Sequence, residues 1–250
     1  MNAARLILMA GLLAMASCRS SGDRLEVPTP EKGEYVAMRL NSVFAANVNH
    51  IFLGGYLTRL DGRTEGLLLM SEDRGENWSR IGSETYPMVG FMVQAIHFND
   101  PVRGWIAGVR VRQGETIPVV LKTTDGGGHW RETEIPETRA AVVESLRNLD
   151  FDSDRIGSVE VVFQEEGAQD LTSNVYLTRD GGRNWTLGDF GGNPSDTATD
   201  PGEMFFSEAQ GYRILPPIED GIQILEYTGS GGRNWVPRAQ LSIAQFDLFY

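Results

Sequence analysis

Cysteine and histidine are scarce in this chain, and their scarcity excludes two kinds of site. Among 250 residues there is one cysteine, Cys18, and there are three histidines. A single cysteine can form neither an intrachain disulfide nor a zinc site built on cysteine pairs. The histidines do not cluster along the chain, so the sequence predicts neither a metal centre nor a bound cofactor: His50, His97 and His129.

Positive charge is the second shortage. The chain has 22 Lys and Arg residues against 34 Asp and Glu residues, which gives a formal net charge of −12. A protein this acidic is a poor electrostatic match for a phosphate backbone, so the charge argues against nucleic-acid binding. It favours a protein partner with a basic surface, held by an attraction that salt screens.

The apolar run near the N-terminus, Leu6–Ala16, is short. A bilayer-spanning helix needs about 20 residues, and this run has fewer. Its charged start at Arg5, its apolar middle and the small residues that follow are typical of a secretory signal. The stretch Met15-Ala-Ser-Cys18 resembles the bacterial lipobox. That resemblance implies cleavage before Cys18 and acylation of this cysteine.

The lipobox resemblance implies three parts: a signal peptide at 1–17, a flexible tether at 18–33 and a folded domain at 34–250. The tether is rich in Ser, Gly, Pro and charge. Arg19 is not the Asp that signals inner-membrane retention in enteric bacteria. We therefore expect a lipid anchor in the outer membrane, with the protein facing the periplasm. An ordinary signal peptide with an incidental cysteine is the alternative.

Glycine, in contrast, is abundant, and it occurs in a repeated motif. The chain has 29 glycines and 41% hydrophobic residues, which suits many tight turns around a sizeable core. Three segments fit Ser/Thr-x-Asp-x-Gly-x-x-Trp, and a fourth has Ser230 in place of Asp. The motif residues are Ser71, Asp73, Gly75 and Trp78; Thr123, Asp125, Gly127 and Trp130; Thr178, Asp180, Gly182 and Trp185; Thr228, Ser230, Gly232 and Trp235.

The motif has a physical logic. Its hydroxyl and carboxylate can bond the backbone of a tight turn, its Gly provides positive φ, and its Trp can bury against a neighbouring sheet. The starts are 52, 55 and 50 residues apart. Three strand-like runs precede each motif and the Trp opens a fourth, which is the sequence form of a β-propeller blade.

On these residues the chain resembles the Asp-box, or BNR-repeat, β-propellers over about residues 40–240. Its likeness to the photosystem II stability/assembly-factor-like branch is carried by Gly104–Gly108 and Lys122–Gly127. The resemblance implies an all-β fold of four blades, with each box between the third and fourth strands. Two leftover segments, 34–40 and 243–250, predict a partial fifth blade closed by N- and C-terminal strands.

Catalytic motifs are weak. The boxes also occur in sialidases, and that resemblance would require an arginine triad, a Tyr/Glu pair and a Phe/Tyr-Arg-Ile-Pro stretch. Tyr212–Leu215 matches the first three residues of that stretch but has leucine in place of the proline. Asp150–Asp154 has the carboxylate spacing of a calcium loop, but Arg155 and Val161 replace the Gly and Glu of an EF-hand. We identify no catalytic, cofactor-binding or metal-binding residue.

These observations predict a membrane-tethered, non-catalytic propeller lipoprotein that serves as a protein-binding or assembly scaffold in the bacterial cell envelope. The alternative is a carbohydrate-binding or sialidase-like glycoside-hydrolase propeller. Acids together with exposed aromatic rings on one face would favour the carbohydrate alternative. A broad acidic or apolar patch without a cleft would favour the scaffold.

Overall fold

A computed structural model describes residues 35–82, 88–136, 141–165, 167, 169–188, 202–218 and 221–243. The predicted signal peptide, Cys18 and the tether lie outside these residues. So does the C-terminal segment from 244 onward. Among the described residues, no helix is long and apolar enough to cross a membrane.

Within these residues, sixteen strands form four separate four-stranded sheets, and each sheet is one blade of a β-propeller. Blade 1 contains β1 (Tyr35–Ala45), β2 (Ile51–Arg59), β3 (Thr64–Ser71) and β4 (Ser79–Arg80). Blade 2 contains β5 (Phe91–Phe98), β6 (Gly104–Arg112), β7 (Glu115–Thr123) and β8 (Arg131–Glu134). Blade 3 contains β9 (Ala141–Phe151), β10 (Gly157–Glu165), β11 (Leu171–Thr178) and β12 (Thr186–Leu187). Blade 4 contains β13 (Glu203–Phe205), β14 (Gly211–Ile214), β15 (Gln223–Thr228) and β16 (Val236–Leu241).

Every blade is an antiparallel meander in which strands consecutive in sequence pair. The predicted all-β, four-blade propeller is therefore confirmed. The strands form where apolar residues either alternate with polar ones or run together. β5 alternates, with the side chains of Phe91, Val93 and Ala95 buried. The central run Leu67–Leu69 of β3 is buried on both faces because blades cover both sides of the sheet.

The hydrophobic core is divided among the interfaces between blades. One cluster joins blades 1 and 2 and contains Phe52 and Phe98. A second joins blades 2 and 3 and contains Trp105 and Phe151. A third joins blades 4 and 1 and contains Tyr212. Blade 4 is also joined to blade 1 by two hydrogen bonds: the Leu40 N–H donates to Oε1 of Gln223, and Nε2 of Gln223 donates to the Leu40 carbonyl.

The expected fifth blade differs from the structure at its N-terminal part. Tyr35–Leu40 form the first half of β1 and pair with β2 of blade 1, so they add no separate sheet. A register shift between Leu40 and Ser42 bends β1 at Asn41. Such a β-bulge lets one strand continue through polar residues that, in the sequence, suggest an interruption. The C-terminal half of the expected fifth blade lies outside the described residues, apart from Ile243.

Candidate functional site

The four boxes lie where the repeat predicts, between the third and fourth strand of each blade. In blade 3, the Thr178 hydroxyl accepts hydrogen bonds from the backbone N–H of Gly182 at 2.9 Å and of Asp180 at 3.4 Å. One Asp180 oxygen accepts the backbone N–H of Asn184 at 2.9 Å, and the other accepts its side-chain amide at 2.6 Å. Each box is thus a turn held by its own side chains.

The hydrogen bonds of the box stabilise its aspartate in the ionised form. Those from the side chain and backbone of Asn184 lower the pKa of Asp180 to about 2. Those from His129 lower the pKa of Asp125 to about 2 as well. Because these acids are ionised and engaged in their own turns, they hold the fold together and are not proton donors.

The fourth box departs from the other three. Ser230 accepts the backbone N–H of Asn234 at 3.0 Å, but its one hydroxyl cannot also bind the Asn234 side chain as a carboxylate would. Trp78, Trp130 and Trp185 are buried, whereas Trp235 is only half-buried. Trp235 therefore differs from the others in packing, although it occupies the equivalent position in its box.

Within the described ranges, the interface between blades 3 and 4 has fewer apolar side chains than the other interfaces. In each blade, the Ser or Thr of the box pairs with a residue of the second strand. The next residue along that strand is Phe52 in blade 1, Trp105 in blade 2 and Tyr212 in blade 4. All three rings are fully buried against the next blade. Blade 3 has Ser158 at this position. In the described part of the chain, no core cluster joins blades 3 and 4.

The next blade contributes a phenylalanine to two of these interfaces. Phe98 stacks on Phe52 with ring centroids 4.0 Å apart, and Phe151 stacks on Trp105 at 3.8 Å. Phe205 holds the equivalent register position in blade 4, opposite Gly211 as Phe98 is opposite Gly104. No ring from the described part of blade 3 stacks on Phe205, and 41% of Phe205 is exposed.

On the side of blade 4 that faces blade 3, two charged residues stand where blade 1 has a pair of apolar residues. The buried, paired positions Leu53 and Leu69 of blade 1 correspond to Arg213 and Glu226 in blade 4. Nε of Arg213 donates to Glu226 at 2.8 Å, and the guanidinium lies 4.4 Å from the centre of the Trp235 ring. We call Phe205, Arg213, Glu226 and Trp235 the blade 4 face.

Blade 3 presents a buried carboxylate on the side facing blade 4. Burial alone would raise the pKa of Glu160, but hydrogen bonds from Arg147, Ser173 and Asn148 outweigh it and hold the pKa below its ordinary value. Both guanidinium contacts from Arg147 are 3.0 Å long. Glu160 is therefore a paired anion rather than a candidate general acid.

A similar network of hydrogen bonds and ion pairs surrounds the carboxylate of Glu65 in blade 1. Its carboxylate accepts from Arg80 at 2.7 Å, from Tyr35 at 2.8 Å and from Arg59 at 3.1 Å. Burial opposes ionisation, but these contacts keep the pKa of Glu65 below its ordinary value. Burial and the Glu65 hydrogen bond raise the pKa of Tyr35 to about 12. This network, like that of Glu160, serves ion pairing within one blade.

The other motifs considered for chemistry have structural roles. Phe151 of the candidate calcium loop is buried, and the Asp154 carboxylate accepts hydrogen bonds from Arg103 and Asn99. Tyr212–Ile214, which partly match the sialidase stretch, belong to β14. No group of three or more His, Cys, Asp or Glu residues suited to a metal ion occurs within the described ranges.

Sequence analysis did not identify the blade 4 face. The connection between the second and third strands differs in length from blade to blade, so counting back from the boxes does not align the second strands. The strand pairing puts Ser158 in line with Phe52, and Arg213 in line with Leu53. A polar residue at one repeat where the other repeats have buried apolar residues marks an interface that differs from the rest.

Comparison with protein-family models gives no match to this chain, and comparison with curated proteins gives none. Among solved structures, the chain is similar to an α-L-arabinanase of Penicillium chrysogenum complexed with arabinobiose, with 14% identity and a TM-score of 0.45. It is also similar to a GH74 enzyme of Niastella koreensis, with 13% identity and a TM-score of 0.30. The matches cover 82% of this chain in both cases, but 62% and 38% of the other chains.

Proposed function

We propose that this chain is a non-catalytic propeller that binds a protein partner in the bacterial cell envelope, and that it belongs with the Asp-box propellers. One observation carries the proposal. Among the residues that the structure describes, the interface between blades 3 and 4 lacks the aromatic stack present at two of the other interfaces, and Phe205 is exposed there. Aromatic residues and arginine are enriched at protein interfaces, and the blade 4 face combines Phe205, Trp235 and Arg213.

The charge of the neighbouring blade suggests the chemistry of the partner. Residues 141–188 of blade 3 contain nine acidic and four basic side chains. The chain as a whole carries −12. A partner with a basic surface would be steered towards blade 3, and an apolar side chain of that partner would contact Phe205 and Trp235. The buried acids Glu65 and Glu160 are paired with arginines, which argues against proton-transfer catalysis by these two groups.

The binding proposal is tested by capture from an envelope extract with the tagged full-length chain at low and high salt. We expect one envelope protein with a basic surface to be captured at low salt and lost at high salt. Phe205→Ala should weaken the capture, because truncation removes the exposed ring. Leu60→Ala is the matched control, since Leu60 is also an exposed apolar residue but lies in blade 1. Equal capture by all three proteins would contradict the proposal.

A carbohydrate ligand is the second candidate, and the composition of the blade 4 face favours it specifically. The ring centroids of Trp235 and Phe205 are 5.8 Å apart, and Glu226 forms a salt bridge with Arg213 on the same face. Aromatic surfaces with nearby polar groups suit sugar rings. Sialosides and β-glucans are the substrates to assay. Turnover that Glu226→Gln abolishes would replace the scaffold proposal with an enzyme. Binding without turnover, lost in Trp235→Ala, would indicate a carbohydrate-binding propeller.

We also propose that Cys18 is lipidated and tethers the propeller to the outer membrane. The support is the lipobox-like stretch Met15–Cys18 in the sequence. Replacing Cys18 with Ser removes the acylated atom, so the variant should move from the membrane fraction to the soluble periplasmic fraction. Cell fractionation with immunoblotting measures this. If wild type and variant distribute alike, Cys18 is not the anchor.

A further inference from the structure

A cleft of about 340 Å³ opens between blades 2 and 3, away from the blade 4 face. Its lining is cationic, although the chain as a whole is acidic. Lys122 comes from the end of β7, Arg131 begins β8, and Arg183 lies in the box of blade 3. Thr124, His129 and Trp130 complete the lining.

The two arginines of the cleft are not paired with a carboxylate in the described part of the chain. Neither the Arg131 nor the Arg183 guanidinium forms a salt bridge with any residue that the structure describes. Both residues are exposed. The nearby carboxylates are engaged elsewhere: Asp125 with His129, Asp154 with Arg103, and Asp180 with Asn184. The arginines therefore retain their hydrogen-bond donors for a ligand.

Lys122 is fixed in place at the inner wall. Its ammonium lies 4.8 Å from the centre of the Trp105 ring and donates to the backbone carbonyl of Asp154 at 3.3 Å. It lies so close to Gly181 that a Cβ there would be 2.6 Å from Nζ. Glycine at 181 thus leaves room for the lysine, in addition to accommodating its φ of +75°.

The cations of the cleft repel one another, and a bound anion would reduce that repulsion. Burial lowers the pKa of Lys122, repulsion from Arg131 and Arg183 lowers it further, and the charges of Asp154 and Asp180 oppose the change. A bound anion would offset the repulsion among the three cations. Arginine also presents its N–H groups in a planar fork that matches the oxygens of phosphate.

We propose that Lys122, Arg131 and Arg183 form a binding site for a dianionic phosphate group. Two guanidinium forks and one ammonium favour a phosphate over a single carboxylate, because a carboxylate offers only two oxygens to these donors. This site is independent of the proposed protein contact at the blade 4 face. The phosphate could belong to a soluble phosphate monoester or to the phosphomonoester headgroup of a lipid.

The test uses residues that the same fold already holds in blade 1. Arg183 corresponds to Glu76 in the first box, so Arg183→Glu introduces a residue that this turn accommodates. Arg233→Glu is the matched control, since Arg233 occupies the same exposed box position in blade 4. Arg131→Ser copies Ser79 of blade 1 and provides a second variant. Thermal melts establish that each variant is folded.

Calorimetric titration of the full-length chain with inorganic phosphate gives the readout. Arg183→Glu and Arg131→Ser should each weaken binding at least about tenfold, as expected when a charge-assisted hydrogen bond is lost. Arg233→Glu should bind like wild type. Absence of phosphate binding by wild type, or equal weakening by the blade 4 control, would overturn the site. Acetate binding as tightly as phosphate would overturn the preference for a dianion.

Vesicles distinguish the two sources of phosphate. If the site takes lipid headgroups, vesicles with phosphatidic acid, whose phosphomonoester approaches two negative charges at neutral pH, should bind wild type more strongly than Arg183→Glu, and phosphatidylcholine vesicles should not discriminate. If wild type and Arg183→Glu bind both vesicles alike while inorganic phosphate still discriminates between them, the ligand is a soluble phosphate ester.

Discussion

At the scale of single residues, the box tryptophans connect local sequence to packing between blades. Each of Trp78, Trp130 and Trp185 is buried in the cluster shared with the preceding blade. Trp235 faces the interface between blades 3 and 4 and is partly exposed to solvent. Residues at one motif position can therefore contribute differently to stability, because the neighbouring blade determines how much surface is buried.

We predict that Trp185→Ala lowers the free energy of unfolding by about 3–5 kcal/mol, the usual cost of truncating a buried aromatic. Trp235→Ala should cost clearly less, because the ring is already partly in water. Urea denaturation followed by circular dichroism compares the two variants with wild type. Equal losses would mean that Trp235 is buried as fully as the other box tryptophans.

The box aspartates make stability depend on pH. The pKa of Asp180 is about 2 in the fold, against 3.8 for the free side chain. A pKa that is lower in the folded state stabilises the fold above about pH 4, and the contribution is lost as the pH falls from 4 towards 2. Thermal melts of wild type should therefore show a loss of stability in this window. Asp180→Asn should be less stable than wild type at pH 6 but should lose less between pH 4 and 2. A parallel pH profile for the two proteins would contradict this assignment.

At the scale of the structural element, the boxes were predictable because their hydrogen bonds join residues two to four positions apart. Thr178, Asp180 and Gly182 hold their turn by hydrogen bonds to one another, and one bond, from the Gly181 N–H to the Arg155 carbonyl, comes from outside the box. The strands before each box were predictable because apolar runs and alternation report burial.

The start of blade 1 was harder to predict. Asn41 and Ser42 suggest the end of a strand, but a bulge carries β1 through them from Tyr35 to Ala45. The partners that stabilise this strand, Arg59 to Ile51 of β2, are distant in sequence from its first residues. Local pattern thus suggested two strands where long-range pairing makes one.

At the scale of the whole molecule, the ring has unequal interfaces. Blades 1–2, 2–3 and 4–1 are joined by core clusters. The polar substitution at Ser158 and the charged pair Arg213–Glu226 distinguish the interface between blades 3 and 4. This inequality was not predicted, because a single repeat read alone gives no reason to expect it. It depends on which residues of two different repeats face one another.

A matched pair of phenylalanines tests the inequality directly. Phe98 and Phe205 hold the same register position, but Phe98 is buried and stacked on Phe52 while Phe205 is 41% exposed. Phe98→Ala should lower the free energy of unfolding by about 3–5 kcal/mol because it leaves a cavity between blades. Phe205→Ala should cost about 1 kcal/mol or less, since little buried surface is lost. Denaturant unfolding of both variants measures the difference. A large loss in Phe205→Ala would mean that blades 3 and 4 are sealed as tightly as the others, and it would remove the surface on which the proposed partner binding depends.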